Sequence, residues 1–212
     1  LEVWRAELAK PVKLEAELFD QLEAMHLAVR VAVRTKDDPR LVLQLVAAQL
    51  KRREVPAFAR RELEGLQRDA LAWEKEGFVA AAQKPAALLE KAKVLLEGAG
   101  VLKNVAPVPE QALKVMRAAS YLDEAMRQQA EGPQRAELLY FEGVAHGAAS
   151  DPVLWELEWI FFEACIRENP HTAWAKVCAD RLKERTWFIW RVGTDMPAAT
   201  HVALGELMGL AN

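Results

Sequence analysis

The sequence has little that would build a sheet. Ile and Thr are sparse, Tyr occurs twice in 212 residues, and no stretch alternates apolar and polar side chains between turn signals. That excludes a strand-rich fold. Ten glycines and ten prolines against 52% hydrophobic residues exclude a disordered or low-complexity chain. No apolar run approaches the roughly 20 residues of a membrane-spanning helix, so no transmembrane segment is expected. Two cysteines, Cys165 and Cys178, are too few for a disulfide framework. Net charge is −3 and evenly spread: residues 1–100 carry 17 basic and 16 acidic groups, residues 101–212 carry 11 and 15. Neither half has the positive excess that nucleic acid or an anionic membrane selects. No Gly-x-Ser-x-Gly, phosphate-cradling glycine loop or cysteine-pair metal motif occurs, so no catalytic residue, cofactor or metal ligand set is assigned.

What is abundant is helix-forming: Ala, Leu, Glu, Arg and Lys dominate. From Val12 to about Lys36, Leu14, Leu18, Leu22, Met25, Val29 and Val33 recur in steps of four and three, one stripe of a helix. Leu27 and Val31 widen it, so more than one packing neighbour is expected. Asp38-Pro39 opens a second helix, Asp capping it and Pro sitting in its first turn. The basic run Lys51-Arg52-Arg53 that follows reads either as a solvated helix end complementing the dipole or, with Arg60 and Arg61, as a small anion-contact patch. Leu63, Leu66, Ala70 and Trp73 form a seam ending near Gly77. Lys84-Pro85 opens another helix, which stops at Gly98 or Gly100. Residues 101–109 carry two prolines and little periodicity and read as a linker or long loop. Helices are then expected over about 110–129, 134–148, 153–168 and 172–189, with a last one starting at Pro197. The reading is all-α: long packed helices over 1–100, antiparallel hairpins over 110–212.

Residues 136–182 carry the most specific pattern. Leu139, Gly143 and Ala145 lie in one helix, Phe161 and Ala164 in the next, and Pro170 at its end. Pro170-His171-Thr172-Ala173-Trp174-Ala175 follows, in which Thr172 can cap a new helix and Ala175 allows close approach. This resembles a tetratricopeptide repeat with two or three extra residues in its first turn. The Pro-x-Thr-x-aromatic-Ala portion is similar to a pattern frequent in bacterial envelope proteins, including outer-membrane assembly lipoproteins. Cys178 stands where an Ala is usual. The resemblance implies a tetratricopeptide-like α-solenoid whose surface binds another protein or a peptide, without catalysis. It also implies a periplasmic or outer-membrane-associated site. The chain begins at Leu1 and not Met, which fits a lipid tether at a removed N-terminus. A cytoplasmic location is the alternative. Candidate partner-binding residues are the large side chains in excess of core needs: Tyr140, Trp155, Trp159, Trp174, Trp187 and Trp190.

Two further readings compete. Glu23-x-x-His26 has the spacing of a di-iron carboxylate bundle, and Glu142 and His146 share a helix face. A metal-dependent helical-bundle enzyme needs two such Glu-x-x-His helices and two more glutamates facing inward; here one matches and one does not. A self-assembling structural subunit is the third reading, favoured if the stripe Leu14–Val33 stays uncovered in the monomer. Cys165 and Cys178 are expected on neighbouring helices but offset by about one turn, which strains a bridge. They are therefore read as buried small hydrophobes.

Overall fold

The computed structural model describes residues 15–102, 109–129, 132, 134–149, 157–191 and 198–212, and the side chains of these except 15–19, 185–191 and 198–201. Among them the fold is all-α, with nine α-helices and no strand. The chain divides into two compact units, residues 1–124 and 125–212. The division falls inside a helix, not at the linker expected over 101–109, of which 103–108 lie outside the described residues.

In the first unit, α1 (Glu15–Val31) runs into a π-helical turn (Ala32–Lys36) and stops at Asp37, whose φ of 47° is left-handed. Thr35 Oγ1 donates to the Val31 carbonyl at 2.6 Å within that turn. The Asp38 carboxylate accepts the Arg40 N–H at 2.9 Å and so starts α2 (Pro39–Leu50), with Pro39 in the first turn as its lost donor allows. α3 (Ala57–Glu76) ends on Gly77 at φ 60°, where any Cβ would be strained. α4 (Pro85–Gly98) and α5 (Ala112–Gln128) follow, the latter preceded by a 3₁₀ turn, Pro109–Gln111. α1 packs on α2, α2 on α3, and α3 on the 3₁₀ turn.

Met25, Ala28 and Val29 of α1 and Val33 of the π-helical turn are fully buried against Val42, Leu45 and Val46 of α2, Leu63, Leu66, Ala70 and Trp73 of α3, and Leu113 of α5. Each such large side chain contributes about 2 kcal/mol through removal from water. The described part of the α1 stripe is therefore covered within the unit. Leu27 and Val31, expected to meet a second neighbour, are 40% and 38% exposed.

The basic run after α2 is a helix end. Arg60 donates to the carbonyl of Leu50 (3.1 Å), an acceptor that α2 leaves without an intrahelical donor, and to that of Arg52 (2.8 Å) just beyond the helix. Arg52 bonds Gln21 and Gln49 in the unit interior. Of the five cations of the anion-contact reading, Arg52 and Arg60 are thus committed to protein acceptors, while Lys51, Arg53 and Arg61 are exposed.

In the second unit, α6 (Arg135–Ala148), α7 (Leu157–Glu168), α8 (Ala173–Arg191) and α9 (Ala198–Ala211) succeed one another. α6 packs on both α7 and α8; α9 packs on both α7 and α8. Gly143 makes the α6–α7 approach possible. A Cβ there would stand 2.5 Å from the ring of Phe162, itself 4% exposed. Thr172 caps α8 as expected, its Oγ1 accepting the Ala175 N–H at 3.2 Å.

The expected absence of a disulfide is overturned: Cys165 and Cys178 are bonded, with Cα atoms 6.4 Å apart. The one-turn offset went with a helix expected from about residue 172. It starts at Ala173, after a turn in which His171 adopts φ 59° and Asn169 Nδ2 donates to the Cys165 carbonyl at 3.1 Å. Cys165 then lies three residues before the end of α7 and Cys178 five residues into α8. The remaining mismatch is about 3 Å at 1.5 Å per residue, within reach of a bridge.

Candidate functional site

Of the three proposed partner contacts whose side chains are described, the structure brings two together. Tyr140 of α6 and Trp174 of α8 lie with ring centroids 5.5 Å apart, and Phe141 (5.0 Å) and Phe162 (6.1 Å) close around Tyr140. Tyr140 is 9% exposed, so its ring belongs to the interior, while Trp174 is half-buried. The Tyr140 hydroxyl reaches the surface side of the cluster and accepts from Arg181 Nε at 3.3 Å. Burial works against the Arg181 charge, but that bond and the Glu184 carboxylate at 3.2 Å more than offset it and raise its pKa. Trp159 is half-buried on α7 beside Ile160, which is 56% exposed. Trp155 lies outside the described residues. Trp187 and Trp190 fall within α8, and their side chains lie outside the described set.

The metal-bundle candidates fall in different units. Glu23 is exposed, and His26 Nε2 pairs with Glu62 at 3.0 Å in the first unit. Glu142, 1% exposed, lies 3.4 Å from His146 Nε2 in the second, and His146 stacks on Phe161 with centroids 5.1 Å apart.

A constellation missed in the sequence occupies the first unit. Arg117 of α5 is 2% exposed, its guanidinium 4.5 Å from the Trp73 ring centre. It donates to Glu76 Oε2 at 2.9 Å and to the Tyr121 hydroxyl at 3.1 Å. Lys91 of α4 reaches the same Glu76 oxygen at 2.9 Å and stands over Phe78, whose ring meets Tyr121 at 5.2 Å. Burial pushes the Tyr121 hydroxyl up to about 12, although Arg117 acts to lower it. The signal was available: Leu113, Arg117 and Tyr121 step by four, which places a cation on an apolar stripe. Chemically the arrangement is closed. An aromatic cage that could take a cationic ligand already holds the chain's own guanidinium.

Asp37 borders this cluster. Its Oδ2 accepts the Ala80 N–H at 2.8 Å, but its Oδ1 is buried without a hydrogen-bond partner. Burial raises its pKa, and the Ala80 bond and Arg117 offset this only in part. Asn tolerates the left-handed conformation better than other side chains with a Cβ, would keep an acceptor for Ala80, and removes the buried charge. Asp37→Asn is expected to stabilise the unit at pH 7 by about 0.5 kcal/mol, reduced from the 1–3 of a fully buried group because the residue is only partly buried. A raised folded pKa means the wild-type contribution is complete below the ordinary value of 3.8 and is lost as pH rises through the folded one. The advantage of the variant should therefore open between pH 4 and 7, followed by urea midpoints. A gap independent of pH would refute the charge explanation.

No protein-family model, curated protein or solved structure matches the chain.

Proposed function

We propose that the chain is a non-enzymatic helical-repeat scaffold that binds another protein or a peptide, in a bacterial cell envelope. The observation that carries this reading is the packing order of the second unit. α6 meets both of the next two helices, and α9 meets both of the preceding two. Stacked helix hairpins bury their apolar faces in this way, each on its neighbour and its next neighbour. The Gly143–Phe162 approach and the burial of Ala175 support it, since both permit the close helix spacing of such repeats. The Cys165–Cys178 bridge supports an oxidising compartment such as the periplasm, because thiols in the cytosol are kept reduced. The tetratricopeptide assignment, the lipid tether and the partner class rest on the sequence resemblance.

The test is site-specific photo-crosslinking in the source cells from Ile160, the most exposed large apolar side chain described on α7. Val94 on α4, 62% exposed, is the control. A discrete adduct from Ile160 alone, lost in Trp159→Ala, is expected. Equal adducts from both positions, or none, would count against the scaffold. Stoichiometric iron or manganese in the purified protein would instead promote the enzyme reading built on Glu142 and His146. Leu22, Met25, Val29 and Val33, the described part of the stripe on which the self-assembly reading rests, are buried; Leu14 and the Leu18 side chain lie outside the described set.

A further inference from the structure

The loop closed by the disulfide is also the seat of the last helix. His171, in the left-handed conformation, donates its N–H to the Leu210 carbonyl in the final turn of α9 at 2.9 Å. Asn169 and Thr172 fix that turn from both sides: Asn169 Nδ2 bonds the Cys165 carbonyl, and Thr172 Oγ1 donates to the Asn169 carbonyl at 2.7 Å. α9 packs on α7 and α8, the two helices that the bridge joins, and buries Leu207 completely and Ala211 to 6%. Both cysteines are 0% exposed, so a reductant reaches the sulfurs only when something packed on the hairpin moves.

α9 is poorly held by its own propensity. Gly205 and Gly209 lie within it, and nothing described lies within 4 Å of where a Cβ would stand at either. Packing does not require those glycines, yet each weakens the helix relative to alanine.

We propose that the Cys165–Cys178 bridge and the docking of α9 form one redox-sensitive latch. Oxidised, the bridge holds the 169–172 turn in the shape that receives Leu210, and α9 stays seated. A dithiol supplies two electrons and two protons. The S–S bond breaks, two S–H groups form, the dithiol closes to its own disulfide, and α9 leaves its seat. The coupling is reciprocal: whatever unseats α9 makes the bridge easier to reduce.

The experiment is amide hydrogen exchange read by mass spectrometry on the whole chain, oxidised and in excess dithiothreitol. Roughly tenfold faster exchange over residues 204–211 on reduction is expected, from the usual range of such couplings. Residues 136–148 and 157–168 should keep their protection. Unchanged exchange in α9, or loss of protection throughout α6 to α8, would overturn the latch; the second result makes the bridge a general staple. Leu207→Ala tests the reverse direction without touching a cysteine. In a fixed ratio of reduced to oxidised dithiothreitol, its reduced-to-disulfide ratio should rise by a similar factor, and an unshifted equilibrium would refute the coupling.

Discussion

An Arg117→Ala variant is expected to destabilise the first unit by about 3 kcal/mol. Removing one member of a buried ion pair costs roughly 3–5 kcal/mol when the other is left buried and alone. Here the lower figure applies, because Glu76 keeps Lys91 at 2.9 Å and its side chain is 33% exposed. What is lost outright is the contact of the guanidinium with the Trp73 ring, worth about 2 kcal/mol when desolvated, and the space its aliphatic stem fills. Arg117→Met restores most of that volume without the charge and should recover about half of the loss. The readout is native-state hydrogen exchange of the α3 amides around Trp73, which reports this unit even if the two units unfold separately.

The pH dependence separates charge from packing. Burial alone would raise the Glu76 carboxyl, but bonds from Arg117 and Lys91 outweigh it, and its pKa lies below the ordinary 4.5. A lowered folded pKa gives stability that is present above the ordinary value and lost as pH falls through the folded one. In both variants that acid-side loss should shrink. An unchanged acid slope in both variants, with Arg117→Met recovering nearly all of the loss, would show that Arg117 only fills space.

Much of the fold was legible because its signals are local. Asp38-Pro39, Pro56, Gly77, Lys84-Pro85 and Thr172 mark helix ends through capping, ring geometry and left-handed backbone, none of which needs a partner. The inward faces Leu63–Trp73 and Leu22–Val33 followed from period alone. What escaped depends on contacts between distant segments. Arg117 is buried only because Trp73, Tyr121 and Glu76 converge on it from two helices. The disulfide turned on how many residues the 169–172 turn leaves outside the helices, a count that shifts register by about 1.5 Å per residue. For the aromatic residues, composition showed an excess but not its direction: Tyr140 went inside, and Trp159 and Trp174 stayed half-buried.

Gly65→Ala is the second large effect, expected to destabilise the first unit by about 2 kcal/mol although alanine is the better helix former. Gly65 lies in the middle of α3, where replacing glycine ordinarily gains about 1 kcal/mol. A Cβ at this position, however, would stand 2.8 Å from Glu110 Cα and 2.9 Å from its carbonyl carbon, with the carbonyl oxygen nearer still. These are backbone atoms of the Pro109–Gln111 turn, so no side chain can swing away and the turn itself must move. Moving it strains the bond from Arg68 Nη2 to the Glu110 carbonyl at 3.1 Å and shifts the lead-in to α5, which carries Leu113 into the core. Overpacking of this kind costs roughly 1–3 kcal/mol and occasionally more, which exceeds the gain in helix propensity. Gly205→Ala is the matched control. Nothing described lies within 4 Å of its Cβ position, so the same chemical change should instead stabilise α9 by up to about 1 kcal/mol. Hydrogen exchange over α3 in the first variant and over α9 in the second reads both signs. Stabilisation at Gly65 would mean that α3 and the turn are not in contact in solution, and with them the placement of Arg117 would fall.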